Sequence, residues 1–219
     1  MENISINFPF EIDYSDNDFI LKIRTPVESD ASSMYEALIL SLNCLREFLP
    51  WAHGIISEND QLERIRNANK NPNRKEVDII VVDGITNKFL MAGGWRLGRT
   101  PNKRAVDLGY WTPLINQNMG LATILTKILV VIALDYLNYD RVEIGCNKAN
   151  KGSYKVIQKC GFQLEGELKN YFDCPSQTML NQGLNPERTS LIFSLVPENI
   201  HNLGWYQHVK NSITINKLV

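Results

Sequence analysis

Asn116-Gln-Asn-Met-Gly-Leu-Ala-Thr-Ile-Leu-Thr-Lys-Ile-Leu-Val-Val-Ile-Ala133 joins a polar turn to an apolar helix without a break. Leu121, Ile124, Leu125, Ile128, Leu129, Ile132 and Tyr136 recur at helical spacing. Val130, Val131 and Leu134 widen that stripe to most of the circumference, so the spacing predicts a helix buried deeply against a sheet. The turn before it is built on Gln117, Asn118, Met119 and Gly120. The first N–H groups of a helix have no partner within it, and the helix dipole adds positive potential there. Gly120 has no Cβ and lets the backbone approach a ligand, and the small Ala122 keeps the first turn open. Such a place suits a phosphate. Gly and Asn also begin many ordinary helices, so the turn by itself leaves both readings open.

Working outward, Phe19 to Pro26 reads as a strand stopped by proline. Glu28-Ser-Asp30 caps a helix over roughly 29–41, with Met34, Leu38 and Leu42 at helical spacing, and Ser57 to Asp60 starts another. Residues 67–74 read as a loop. Val77–Val82 and Lys88–Trp95 read as strands joined by a turn, with Gly93-Gly94 marking a bulge or a close backbone approach. Further strands are expected over 104–112, 142–146, 163–172 and 190–196, with a short helix over 151–159. Asp173 to Arg188 reads as a long loop of the kind that carries function. The order β-α-α-β-β-β-α-β-α-β-β is a mixed α/β pattern.

The chain has 219 residues and a formal net charge of −1, which fits one ordinary domain. The charge gives no bulk electrostatic reason to bind nucleic acid or a membrane. Met1 to Asn7 lacks the basic start and apolar run of a signal peptide. The longest apolar run, Ile128 to Leu134, covers about two helical turns and falls short of a bilayer span. Cys44, Cys146, Cys160 and Cys174 form no C-x-x-C pair and read as reduced packing thiols of a cytoplasmic protein. His53, His201 and His208 are too scattered for a metal site, so no metal is expected.

A second segment gives the turn its context: Asn147-Lys-Ala-Asn-Lys-Gly-Ser-Tyr-Lys-Val-Ile-Gln-Lys-Cys-Gly-Phe-Gln-Leu-Glu-Gly166. Together the two resemble the GNAT acetyltransferase family. Gln117, Gly120 and Ala122 match its acetyl-CoA pyrophosphate loop, Gln/Arg-x-x-Gly-x-Gly/Ala. Asn147, Asn150, Ser153, Gly161, Phe162, Glu165 and Gly166 match the pattern of its RimJ/RimL branch, the ribosomal-protein N-terminal acetyltransferases and their relatives. Leu45 to Ala52 and Asp107-Leu-Gly-Tyr-Trp111 also look like that branch. The resemblance implies a GNAT domain over 19–197, with extensions at 1–18 and 198–219. It implies a mixed, mostly antiparallel sheet with helices on both faces, whose central strands splay to form an acetyl-CoA cleft.

The resemblance also implies roles. The pyrophosphate lies on N–H groups of Gln117, Asn118, Met119, Gly120, Leu121, Ala122 and Thr123. Asn147 and Asn150 stand where the family holds the amide or thioester end of the cofactor; both also precede a helix that an Asn can cap. Many family members place a Tyr four residues before the Gly-Phe pair to protonate the leaving sulfur; here that residue is Ile157. In the RimJ/RimL type a Ser contacts the sulfur, and Ser153 fits, with Tyr154 a neighbouring alternative. A thiol of pKa near ~8.5 leaves readily as thiolate, so a hydrogen bond suffices. Asp107 is the first expectation for the base that takes the amine proton, standing where the branch usually has Glu, and Glu143 is the second. Arg46, Phe48 and Trp51 fall in the segment that forms one wall of the acceptor site, and Asp173, Glu187 and Arg188 in the loop that forms the other.

The chain is thus expected to transfer an acetyl group from acetyl-CoA to a primary amine by direct attack in a ternary complex, as a monomer or homodimer. A protein N-terminus is the first acceptor. A small-molecule amine is the second, and a non-catalytic acyl-CoA-binding module is the rival outside the enzymes.

Overall fold

The computed structural model describes residues 11–54, 57–70, 76–97, 101–102, 104–181 and 186–217. A hairpin of β1 (Glu11–Ser15) and β2 (Ile20–Arg24) leads into α1 (Ala31–Arg46) and α2 (Glu58–Lys70). An antiparallel meander follows: β3 (Glu76–Asp83), β4 (Phe89–Leu97) and β5 (Ala105–Trp111). Helix α3 (Leu121–Val131), prolonged by a π-helical turn over Ile132–Tyr136, crosses over to β6 (Arg141–Asn147). Then come α4 (Lys151–Lys159), β7 (Gln163–Leu168), α5 (Gln177–Asn181) and β8 (Ser190–Leu195). The chain closes with α6 (Pro197–Ile200), α7 (Tyr206–Asn211) and β9 (Ile213–Lys217).

The strands of the described residues form one open sheet of nine, in the order β7-β8-β6-β5-β4-β3-β2-β1-β9. Every pairing is antiparallel except β5 with β6. Those two need a crossover, and α3 supplies it. They are bonded only from Ala105/Arg141 to Leu108/Ile144. Beyond that, β5 stays with β4 as far as Trp111, while β6 stays with β8 as far as Asn147. The centre of the sheet therefore splays, as expected from the sequence.

One face of the sheet carries the main core. Val106, Leu108, Val142, Ile144, Leu191 and Phe193 pack there against the buried stripe of α3. Val130, Val131, Ile132 and Ala133 are all fully buried, which bears out the wide apolar stripe. On the other face, α1 and α2 cover β3 and β4 through Ala31, Met34, Ile65, Ile80, Val82 and Phe89.

Several local expectations change. The residues before 19 and after 197 supply β1 and β9, which pair with each other at one edge of the sheet. The tail aromatics dock on the domain: Tyr206 is buried and bonds Asp135, which Lys210 Nζ also reaches at 2.6 Å. The strand expected over 163–172 stops at Leu168, before Asn170 at φ 54°. The long loop after it contains α5. Helix α2 runs to Lys70 through the stretch read as loop, and residues 71–74 of that loop, 182–185 of the later one and the Met1–Asn7 segment lie outside the described residues. Gly93-Gly94 is a close approach rather than a bulge: a Cβ on Gly94 would sit 1.9 Å from the Val77 carbonyl oxygen. The register shift between β3 and β4 lies at Val81/Val82 instead.

Candidate active site

The splay opens a cavity of about 1340 Å³ that reaches both faces of the sheet. Side chains alternate along β5, so its two faces carry different chemistry. Val106 and Leu108 point to α3, and Tyr110 packs against the same core. Asp107 and Trp111 take the other face, where Trp111 packs against the α1–α2 cluster.

On the α3 side the cavity meets the turn before the helix. Asn118 and Gly120 are left-handed, at φ 61° and 86°. A Cβ on Gly120 would meet only the Phe19 ring, at 3.6 Å, so the backbone angle rather than crowding selects glycine. Gly120 is the N-cap residue of α3, and no side chain caps the helix from that position. The first-turn N–H groups are thereby left for a ligand. The side chains of the turn do less than the motif suggests. Gln117 Nε2 lies over the strand end, 3.4 Å from the Thr112 carbonyl and 3.6 Å from Cys44 Sγ. Leu121 is a buried core residue, and Ala122 packs on the same core. The carbonyl of Thr123 accepts from Cys160 Sγ at 3.6 Å. What these residues offer a ligand is their main chain.

Helix α4 forms the facing wall. Asn150 is its N-cap, and Oδ1 accepts from the Ser153 N–H at 2.9 Å. Asn147 is buried and braces the turn from both ends of its amide: Oδ1 accepts from Ala149 N at 2.9 Å, and Nδ2 donates to the Glu187 carbonyl at 2.6 Å. Ser153 Oγ lies 2.9 Å from Tyr110 Oη, across the gap between α4 and β5. Burial raises the Tyr110 phenol above its ordinary range, so it stays protonated. Tyr154 faces elsewhere, edge-on to Phe193, with its hydroxyl accepting from Gln158. Cys146 lines the cavity, but burial pushes its thiol up to about 11, so it is protonated at neutral pH. Lys151, Lys155 and Lys159 line the cavity along one side of α4.

On the α1–α2 side, Asp107 is buried and lines the cavity. Its cross-strand neighbours are Arg96 on β4 and Glu143 on β6. Gly109, the next residue on that face, has no atom within 4 Å of where a Cβ would stand, so the surface opens there. Trp51 forms part of the wall, 6.4 Å from the Trp111 ring. Arg64 and Asp78 add a bidentate ion pair to the lining, at 2.7 Å.

Several expected residues are not among those lining the cavity, Glu187 and Arg188 of the later loop among them. Glu143 accepts from Arg141 Nε at 2.6 Å, and Arg141 also holds Glu165, whose carboxyl it lowers below the ordinary range. Arg46 Nε donates to the Ala52 carbonyl at 3.0 Å and staples the turn after α1. Asp173 is exposed beyond Tyr171 and Phe172, which do line the cavity. Two features escaped the sequence reading. Tyr110 enters the sequence pattern only as a motif residue, although alternation sets it opposite Asp107. The three lysines recur every four residues on α4, a signal that was available.

Among the described residues no group of three His, Cys, Asp or Glu side chains is placed to hold a metal ion. No described helix is long and apolar enough to cross a membrane.

Solved structures with the same fold include RimL, a ribosomal L7/L12 α-N-protein acetyltransferase in complex with coenzyme A. It is 17% identical, with 85% of this chain and 98% of that chain covered and a TM-score of 0.71. Mycobacterium smegmatis RimJ in complex with CoA-disulfide is 14% identical, with 97% and 99% covered and a TM-score of 0.70. The microcin C7 self-immunity acetyltransferase MccE, in complex with acetyl-CoA and AMP, is 18% identical, with 83% and 97% covered and a TM-score of 0.67. No curated protein matches the chain by sequence. The family model described as acetyltransferase (GNAT) domain matches residues 21–163, from β2 to the start of β7. The chain belongs to the GNAT acetyltransferase family.

Proposed function

We propose that this acetyltransferase acetylates the α-amine of a protein N-terminus. The observation that carries the chemistry is the division of labour on β5 at the splay. Asp107 faces the side covered by α1 and α2, whereas Tyr110 meets Ser153 on the side of α3 and α4. An acceptor amine and a leaving thiol can therefore be served from opposite sides of one opening. Acetyl-CoA supplies the acetyl group as a thioester.

The open first turn of α3 fits a pyrophosphate, which Gly120, Leu121, Ala122 and Thr123 hold through main-chain N–H groups. Lys151, Lys155 and Lys159 add positive charge for a polyanionic ligand along the α4 wall. The exposed edge of β5 beyond Leu108 offers main-chain groups to an extended arm. Asn150 orders the turn that presents Ser153. Asp107, directly or through one water, takes a proton from the attacking amine. As the carbon–nitrogen bond forms and the carbon–sulfur bond breaks, the electron pair goes to sulfur, and the Ser153 hydroxyl donates a hydrogen bond to it.

Support for a protein N-terminus comes from two directions. The fold is shared with enzymes described as ribosomal-protein acetyltransferases. Proton arithmetic points the same way: an α-amine of pKa ~8 is about a tenth neutral at pH 7, and a lysine of pKa ~10.4 about one part in 2,500. Of the two expected bases, Asp107 lines the cavity and Glu143 does not, and a site with one such base suits the more acidic ammonium. A small-molecule amine is the second reading, favoured by the shared fold of an acetyltransferase crystallised with AMP. Mass spectrometry of protein N-termini from cells with and without this chain tests the first reading. Loss of acetylation on a defined set of N-termini is expected, and identical N-termini in both would count against it.

A further inference from the structure

Tyr110 belongs to no role assigned above, yet it reaches the residue placed nearest the leaving sulfur. We infer that Tyr110 is a positioning residue that fixes the Ser153 hydroxyl hydrogen toward the cleft; the inference rests on the acetyl-transfer chemistry of the preceding section.

A serine hydroxyl carries one hydrogen and two acceptor sites and rotates freely until something selects a direction. The backbone of Ser153 is fixed, because its N–H donates to Asn150 Oδ1 at 2.9 Å. Its hydroxyl is set by the Tyr110 contact at 2.9 Å, in which either oxygen can donate. Bookkeeping of hydrogens decides between the two. Among the described residues, Ser153 Oγ is the only hydrogen-bond partner of Tyr110 Oη. Were serine the donor, the phenol hydrogen would be left in a partly buried place without an acceptor, which is costly. With tyrosine as donor, the phenol hydrogen is bonded, and the serine hydrogen is free to turn into the cleft that Ser153 lines.

The placement supports the same role. Leu108 and Ile144 are the last bonded pair before the strands part, and Tyr110 stands two residues further along β5. Its phenol therefore crosses the opening to α4. As electron density collects on sulfur, the chain from Tyr110 to Ser153 to sulfur strengthens along its length. Tyr110 is not the proton source. Burial raises its phenol above the ordinary range, so it is a weaker acid than the thiol it would have to make.

The test is a double-mutant cycle on the full chain with Tyr110→Phe, Ser153→Ala and the double variant. The acceptor is whichever amine the wild-type enzyme turns over, drawn from peptide N-termini, lysine peptides and small amines. The reading of the acceptor and this inference thus fail separately. Calorimetric titration with CoA is run on each variant. Tyr110→Phe should lower kcat by about tenfold, the scale of one oriented hydrogen bond, and leave CoA affinity within about twofold. In the Ser153→Ala background the same change should cost nothing. An unchanged kcat in Tyr110→Phe, or an equal loss in both backgrounds, would overturn the inference, because a purely structural tyrosine acts whether or not the serine hydroxyl is there.

Discussion

Leu108 and Ile144 are the last residues bonded between the two parallel strands, and the whole site is organised by what happens one residue later. From there β5 follows β4, β6 follows β8, and main-chain groups on both strands lose each other as partners. A sheet interior does not leave such groups unpaired without a use for them. The opening reaches the Tyr110–Ser153 hydrogen bond on one face and Asp107 on the other.

Gly120→Val should weaken CoA binding at least about tenfold while the domain still folds. The cause is the left-handed backbone at φ 86°, which a β-branched residue resists. Crowding contributes little, since the Phe19 ring is the nearest neighbour at 3.6 Å. Calorimetric titration together with thermal melting checks this. Wild-type affinity in the folded variant would remove the first turn of α3 from the phosphate site.

Gly94→Ala and Gly109→Ala should differ sharply although they are cross-strand neighbours. A Cβ on Gly94 would lie 1.9 Å from the Val77 carbonyl oxygen, so β3 and β4 must separate. A loss of more than about 3 kcal/mol in denaturant unfolding is expected. A Cβ on Gly109 meets nothing within 4 Å, because it projects into the cavity. That variant should keep its stability and lose turnover. Equal stability losses would mean that the cavity beside Gly109 is filled.

Much of this was legible in the sequence. The apolar stripe of α3 has so many buried positions that only a sheet-covered helix satisfies it. The Gly120 turn was legible because a left-handed N-cap leaves a chemical signature, glycine, at one position. Strand β1 was harder. Ile12 and Tyr14 do alternate with polar residues, and both are fully buried, but five residues give a weak period. Its partner β9 lies about two hundred residues away, and no local pattern announces that pairing. The same limit governs the side chains. Glu143 stands in register with Asp107, but Arg141, two residues before it, engages its carboxylate and also holds Glu165, 24 residues further along the chain. Arg46 sits in the expected wall segment, and its guanidinium serves the main chain of the next turn. The bond from Tyr110 to Ser153 spans 43 residues and exists only because β5 and α4 meet at the splay.

Asp107→Asn should lower kcat/KM by about a hundredfold if Asp107 removes the amine proton. The deficit should be largest at about pH 6, where an amine of pKa ~8 is almost wholly protonated and needs a base. It should shrink toward about pH 9, where neutral amine is abundant in solution. Rate profiles of wild type and variant across that range check the sign. Parallel profiles would make Asp107 a wall residue.

The proposed α-amine acceptor is put to the test with two peptides of one sequence, the first with a free N-terminus and blocked lysine, the second with a blocked N-terminus and free lysine. Acetyl transfer from acetyl-CoA to each is followed by mass spectrometry at neutral pH. Acetylation of the first peptide is expected, with the second slower by at least about a hundredfold, as the neutral fractions of the two amines require. Preferential acetylation of the lysine peptide, or of neither peptide while a small amine reacts, would contradict it.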